Sequence, residues 1–278
     1  QVSGLEGMDR ILNLADQLAL ARRAGRHVAL EPPGGQPGPS VRDLRNNVRL
    51  VFLDTHWFLQ ARTPADRRAF FDRLEAVVEE AGERELILAA HHPYRSAGPH
   101  GAIIPGYHTG GVAYLLKKSG TLVQDLNSTV YDDFLVGLDA LFERLQKAPL
   151  VFAGGHDHSL QVLRGNGDFA PRFSLVSGAG SKLSGIRNAP GLAWGADRPG
   201  YMMLVFRRDD AVDLFALAGD KEALTCDVPE DELEACMTAA ANSFEIAYAA
   251  SLLGPSKRPV ELPRLTEGDS VVDTPWRL

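Results

Sequence analysis

The residues able to do chemistry in this chain gather in two short stretches. One is "HHPYRSAGPHG", which carries His91, His92 and, nine positions after the first, His100. The other is "VFAGGHDHSLQVL" (151–163), which sets His156 and His158 two apart behind a pair of glycines. Six of the eight histidines lie between His91 and His158, so the two stretches stand out from the rest of the chain. A neutral imidazole is the commonest protein ligand for a metal ion. In extended backbone alternate side chains share a face, which predicts that His156 and His158 point one way and Asp157 the other. Two ions bridged by a nucleophile clamp both the entering and the leaving oxygen of a phosphoryl displacement. The plain alternative is a polar strand end whose imidazoles are exposed or bonded to backbone.

The elements that would position these residues follow from hydrophobic patterning. Short apolar runs at 48–54, 84–90, 149–155, 172–181, 200–207 and 211–219 read as strands, the last two as a hairpin. His91, His92 and His156 each come just after one of these runs, where ligands gather in α/β folds. Helical spacing marks 8–22, 63–82 and 129–147. Thr63 is the expected N-cap of the second, Pro64 its first residue, and Phe70, Leu74, Val77 and Val78 its core face. Phe134, Leu138, Leu141 and Leu145 line one face of the third. Pro and Gly exclude both helix and central strand from 31–40. The long segment 91–128 reads as a functional loop. An alanine-rich helix is expected over 229–254 and a Pro-rich appendage over 255–278. Strand, helix, strand, loop, helix, strand and then a run of strands amounts to a mixed α/β architecture. The expected division is 1–218 and a C-terminal extension, 219–278.

Composition removes several classes. The chain is 45% hydrophobic and 23% charged, an ordinary globular balance. Its net charge of −7 and its lack of a basic stripe argue against a nucleic-acid partner. No apolar stretch reaches the roughly 18 residues a bilayer-spanning helix needs. The two cysteines, Cys226 and Cys236, are either one disulfide or two thiols; spacing does not decide. The chain starts at Gln1 rather than Met, which reads as a processed product or a fragment.

Four segments, "VRLVFLDT", "AAHHPYRSAGPHG", "GGHDHSLQ" and "SLVSGAGSK", occur in the order and spacing of the calcineurin-like metallophosphoesterases. The likeness is greatest to the branch of the smaller purple acid phosphatases and spans residues 1 to about 218. It implies a mixed β-sandwich flanked by helices. It also implies two divalent or trivalent ions, of iron, manganese or zinc, and hydrolysis of a phosphorylated small molecule or phosphoprotein. On the matched motifs, His91 and His156 resemble ligands of one metal and His158 a ligand of the other. His100 resembles the histidine that binds phosphate or protonates the leaving oxygen. His92 fills the variable place of the His-x-Pro motif and is expected to line the pocket against substrate. Asp54 resembles a core residue rather than a ligand. Lys182 and Tyr94 are expected to border the cleft, and His27, His56 and His108 to lie on the surface.

The chain departs from that family at its start. The strand-borne aspartate, the GDxx(D/Y) motif and the GNH(D/E) motif are missing; "GDF" (167–169) and "GDK" (219–221) stand in other contexts. The expectation is an N-terminally incomplete domain whose parent is a phosphatase and which is itself inactive or impaired. A non-catalytic module that keeps the sheet, or a mononuclear hydrolase using only His91, His156 and His158, are the alternatives. Resemblance to bacterial members points to an exported or periplasmic protein.

Overall fold

The computed structural model describes residues 30–33, 36–44, 47–60, 63–101, 126, 128–180, 182–220 and 242–254, with residues 19, 232, 235, 236 and 239 besides. Its framework is a seven-stranded mixed sheet. In chain order the strands are β1 (Ser40–Leu44), β2 (Val48–Phe52), β3 (Glu85–Ala89), β4 (Val151–Gly154), β5 (Leu160–Arg164), β6 (Phe173–Ser177) and β7 (Leu192–Ala196). They lie side by side as β1-β2-β3-β4-β6-β5-β7. β2, β3, β4 and β6 run parallel, while β1, β5 and β7 are antiparallel to their neighbours. A second, antiparallel sheet has the order β10-β9-β8, from β8 (Gly200–Phe206), β9 (Val212–Ala218) and β10 (Glu245–Leu253).

The large sheet is covered on both faces. "VRLVF" and "ELILA" are near-continuous apolar runs, as strands buried on both sides require. One face packs Phe152, Leu86 and Leu88 against helices α1 (Thr55–Leu59), α2 (Pro64–Glu79) and α3 (Thr129–Arg144). Phe58, Phe70 and Phe134 meet there with ring centroids 4.9 to 6.1 Å apart. Each such side chain contributes about 1.5–3 kcal/mol on leaving water. The other face sets Val48, Ile87, Val151, Val162 and Leu175 against Val212, Leu214 and Leu252 of the second sheet. The result is the expected mixed β-sandwich with helices outside.

Local chemistry fixes the helix starts. Thr63 Oγ1 accepts the Asp66 N–H at 3.2 Å and Asp66 Oδ2 accepts the Thr63 N–H at 3.1 Å, a reciprocal cap ahead of Pro64. Ser128 Oγ accepts the Tyr131 N–H at 3.2 Å and starts α3.

Several expectations need correcting. Within the helix expected over 229–254, Glu245–Leu253 is instead strand β10, which pairs antiparallel with β9. Strands β1, β5 and β7 and the short helix α1 lie outside the elements that hydrophobic patterning predicts. Cys236 is disulfide-bonded. The expected helix 8–22, apart from residue 19, and the appendage 255–278 lie outside the described residues, as do His27, His108 and Cys226.

Candidate metal centre

Because β2, β3, β4 and β6 are parallel, their carboxyl ends share one edge of the sheet. Asp54, His91 with His92, His156 and Gly178 all follow those ends. The ladder continues a little past the strands. Ala90 N–H donates to Ala153 O at 3.0 Å and Gly155 N–H to His91 O at 2.9 Å. Those bonds hold the "HHP" and "GGH" backbones side by side. The approach depends on Gly154: a Cβ there would lie 2.6 Å from Pro93 Cα and 2.7 Å from Pro93 N. Gly155 carries no such constraint, since its nearest neighbours would be 3.9 Å away.

His91, His92 and His156 each offer a ring nitrogen, all within 4.8 Å of one another. His156 Nδ1 lies 3.2 Å from His91 Nε2, so one nitrogen carries the hydrogen and the other the lone pair. The rings of His92 and His156 are centred 4.5 Å apart, and those of His91 and His92 4.8 Å apart. His156 takes a φ of +63°, in the left-handed region that non-glycine residues rarely occupy. Strain of this kind, of order 1–3 kcal/mol, persists where surrounding structure imposes it. Residues 156–159 are bends rather than strand, so His156 and His158 do not share a strand face as period-two spacing predicted.

His92 is wholly buried and doubly tied to Thr55. Thr55 Oγ1 accepts the His92 backbone N–H at 3.2 Å and lies 2.8 Å from His92 Nδ1. His92 Nε2 is buried with no hydrogen-bond partner among the described residues. Burial, then the neighbouring His156 and His91, lowers the His92 pKa to about 2. His91 is exposed on one side, yet desolvation by the protein around it, aided by His56, lowers its pKa to about 4. Both rings are therefore neutral, with lone pairs to offer, across the physiological range. Tyr131 of α3 fixes the same stretch from below. Its hydroxyl donates to Pro93 O at 2.8 Å and lies 3.2 Å from His92 O.

The other expected site residues fall as follows. His100 stands beside the cluster, its ring centred 4.6 Å from that of His156. His158 stands apart: its Nδ1 is 3.1 Å from Lys182 O, and its backbone N–H donates to Ser184 Oγ at 3.0 Å. A carbonyl only accepts, so His158 Nδ1 carries the hydrogen and Nε2 the lone pair. That orientation is the usual one for a ligating histidine. Asp54 caps α1 by accepting the Trp57 N–H at 3.1 Å, a structural role as expected. Tyr94 is buried and donates to Asp139 Oδ1 at 2.5 Å, so it braces α3 rather than bordering a cleft. His56, expected on the surface, is half-buried and near enough to lower the pKa of both His91 and His92. Thr55 and Tyr131 carry no ligand signal in the sequence: Thr55 only closes "VRLVFLDT", and Tyr131 lies in a helix outside the matched segments.

No family model matches the sequence, and no curated protein is significantly similar to it. Among solved structures, it is similar to the purple acid phosphatase PPD1 isolated from yellow lupin (Lupinus luteus) seeds. The identity is 13% and the TM-score 0.44, over 84% of this chain and 35% of that one. It is also similar to GAP50, the anchor in the inner membrane complex of Plasmodium. There the identity is 15% and the TM-score 0.43, over 78% of this chain and 54% of that one. The chain thus spans about a third of one neighbour and about half of the other.

The cluster suits a metal ion on its own chemistry. Burial holds the His91 and His92 imidazoles neutral, and the buried His92 Nε2, without a hydrogen-bond partner among the described residues, is a nitrogen that a cation would satisfy. Imidazole sets accept zinc, iron and manganese, and a set of three leaves a position open. Among the described residues no carboxylate joins this group.

Proposed function

We propose that this chain carries the histidine part of a metal-dependent phosphoesterase site. The observation that supports it most is the 3.2 Å meeting of His91 Nε2 and His156 Nδ1 beside His92, at one edge of a parallel sheet. His91 and His156 hold one ion, and His158, with its Nδ1 on the Lys182 carbonyl, offers Nε2 to a second. A bound ion would supply Lewis acidity toward a phosphoryl oxygen and toward water. Thr55 and Tyr131 keep the "HHP" backbone and the His92 ring in register with it. His100, beside His156, binds the phosphate or holds the proton that the leaving oxygen requires. The substrate class is a phosphomonoester, on a small molecule or a phosphoprotein. The Cys236 disulfide suits an oxidising compartment, in keeping with an exported or periplasmic protein.

A second reading has its own support. The described group is all imidazole, the donor set of a mononuclear centre with an open position. Metal content by mass spectrometry, alongside hydrolysis of p-nitrophenyl phosphate, separates the two. Two ions per chain, one lost in His156→Asn and the other in His158→Asn, with hydrolysis, support the two-metal site. A single ion in the natural chain, unchanged in His158→Asn and lost in His156→Asn, supports the mononuclear site. No ion at all rejects both.

A further inference from the structure

The residue between the two motif histidines is wholly buried and takes no part in the site described above. Asp157 faces the loop that carries His100. Its Oδ2 accepts the Ser96 hydroxyl, and its Oδ1 accepts the His100 backbone N–H at 3.2 Å. Ser96 Oγ in turn accepts the Gly98 N–H at 2.9 Å. Gln161, also wholly buried, accepts the Ala97 N–H at 2.7 Å and donates to Ser159 Oγ at 2.8 Å. The 96–100 backbone is thus wrapped around one carboxylate and one amide. The wrapping is tight enough to demand glycine: a Cβ on Gly98 would lie 2.4 Å from Asp157 Cγ.

We propose that Asp157 is a positioning residue whose buried carboxylate latches the 96–101 loop and so holds the His100 ring against His156. The consequence for phosphate or leaving-group chemistry rests on the reading of His100 given above; the latch itself does not. Burying a carboxylate is costly unless hydrogen bonds satisfy it, and the bonds to Ser96 and His100 do so. An apolar residue would fill the space without that cost but would leave the His100 N–H and the Ser96 hydroxyl without this acceptor. His156, Asp157 and His158 are consecutive, so one tripeptide would set the metal ligands and the neighbouring histidine together.

The test compares Asp157→Ala and Asp157→Asn with the natural chain by nuclear magnetic resonance with isotope-labelled histidine. Asn keeps an acceptor for the His100 N–H, and Ser96 can reverse its hydroxyl to accept from the new amide. The alanine variant is expected to lose the His100–His156 ring contact and to exchange the Gly98 and His100 amides about tenfold faster. The asparagine variant is expected to keep both. Zinc affinity should change by less than about threefold in either, since no ligand is touched. In an actively hydrolysing preparation, the alanine variant should lose about tenfold more kcat on phenyl phosphate than on p-nitrophenyl phosphate. The poorer leaving group depends more on the proton donor. An intact ring contact and intact protection in Asp157→Ala would overturn the latch. Should that variant fail to fold, Ser96→Ala serves: unchanged exchange at Gly98 and His100 overturns the proposal equally. Absence of hydrolysis in every chain would count against the phosphoesterase reading and leave the latch standing on its resonance data.

Discussion

His92 shows how far a single side chain's role depends on what surrounds it. Its place in the His-x-Pro motif marks it as variable, and by sequence it belongs in the pocket wall. The fold instead buries it completely, ties Nδ1 to Thr55 and leaves Nε2 among the other imidazoles. Such a ring resists protonation. In the unfolded chain it takes a proton near pH 6.5, and in the folded chain only near pH 2. Between those values the unfolded state holds the extra proton, so stability falls as pH falls, and it is fully present above the unfolded pKa. The slope for one proton is about 1.4 kcal/mol per pH unit. His92→Gln is therefore expected to flatten the acid limb of the stability curve by about that slope between pH 6 and pH 4. Urea titrations at three pH values would measure it, and parallel curves for the two proteins would refute it. His156 is the complementary case. Alternation placed its ring beside that of His158, but a φ of +63° turns the chain and sends the ring to His91. No spacing rule announces a left-handed histidine.

Elements bring these side chains together through backbone proximity, and one glycine controls it. The "GG" pair in β4 and just beyond reads as a close-approach signal, but only its first member serves that purpose. Gly154→Ala forces the β4 end away from Pro93 and is expected to cost about 1–3 kcal/mol, as overpacking does. It should also weaken zinc binding, because the His91 and His156 backbones separate. Gly155→Ala meets nothing closer than 3.9 Å and is expected to stay within about 0.5 kcal/mol of the natural chain. Thermal unfolding and zinc titration of the pair would show whether the difference is real. Strands and helices with strong local signals were legible: β2, β3, β4, the β8–β9 hairpin, and α2 with its Thr63 cap. β10 was not, because "EIAYAASLL" has the alanine content of a helix. Its strand form comes from seven residue pairs with β9, a long-range contact that propensity does not contain. Strand β5, which follows His158 closely, was hidden for a different reason. The eye stops at the histidines, while "LQVLR" supplies only a short run.

At the scale of the molecule, the cluster joins parts of the chain that are far apart in sequence. His91 and His92 follow β3, His156 follows β4, and Thr55 begins α1 after β2. An ion held by the cluster would therefore bridge neighbouring strands at the middle of the seven-stranded sheet, not a local loop. A ligand that binds only the folded chain stabilises it by mass action, about 2.7 kcal/mol when free ligand is 100 times its dissociation constant. Because the strands it ties together carry the core on both faces, the gain should appear in global unfolding, not as a small local event. The natural chain with zinc at 100 times its measured dissociation constant is thus expected to unfold about 2.7 kcal/mol harder than without it. His156→Asn removes one donor from the group while keeping a polar side chain at the turn, and its zinc increment should largely vanish. His158 does not belong to the three-histidine group, so His158→Asn should keep most of the increment from that group. Equal zinc increments in all three proteins would mean that the ion binds elsewhere, and the edge of the sheet would then be a packed polar seam with no metal to hold.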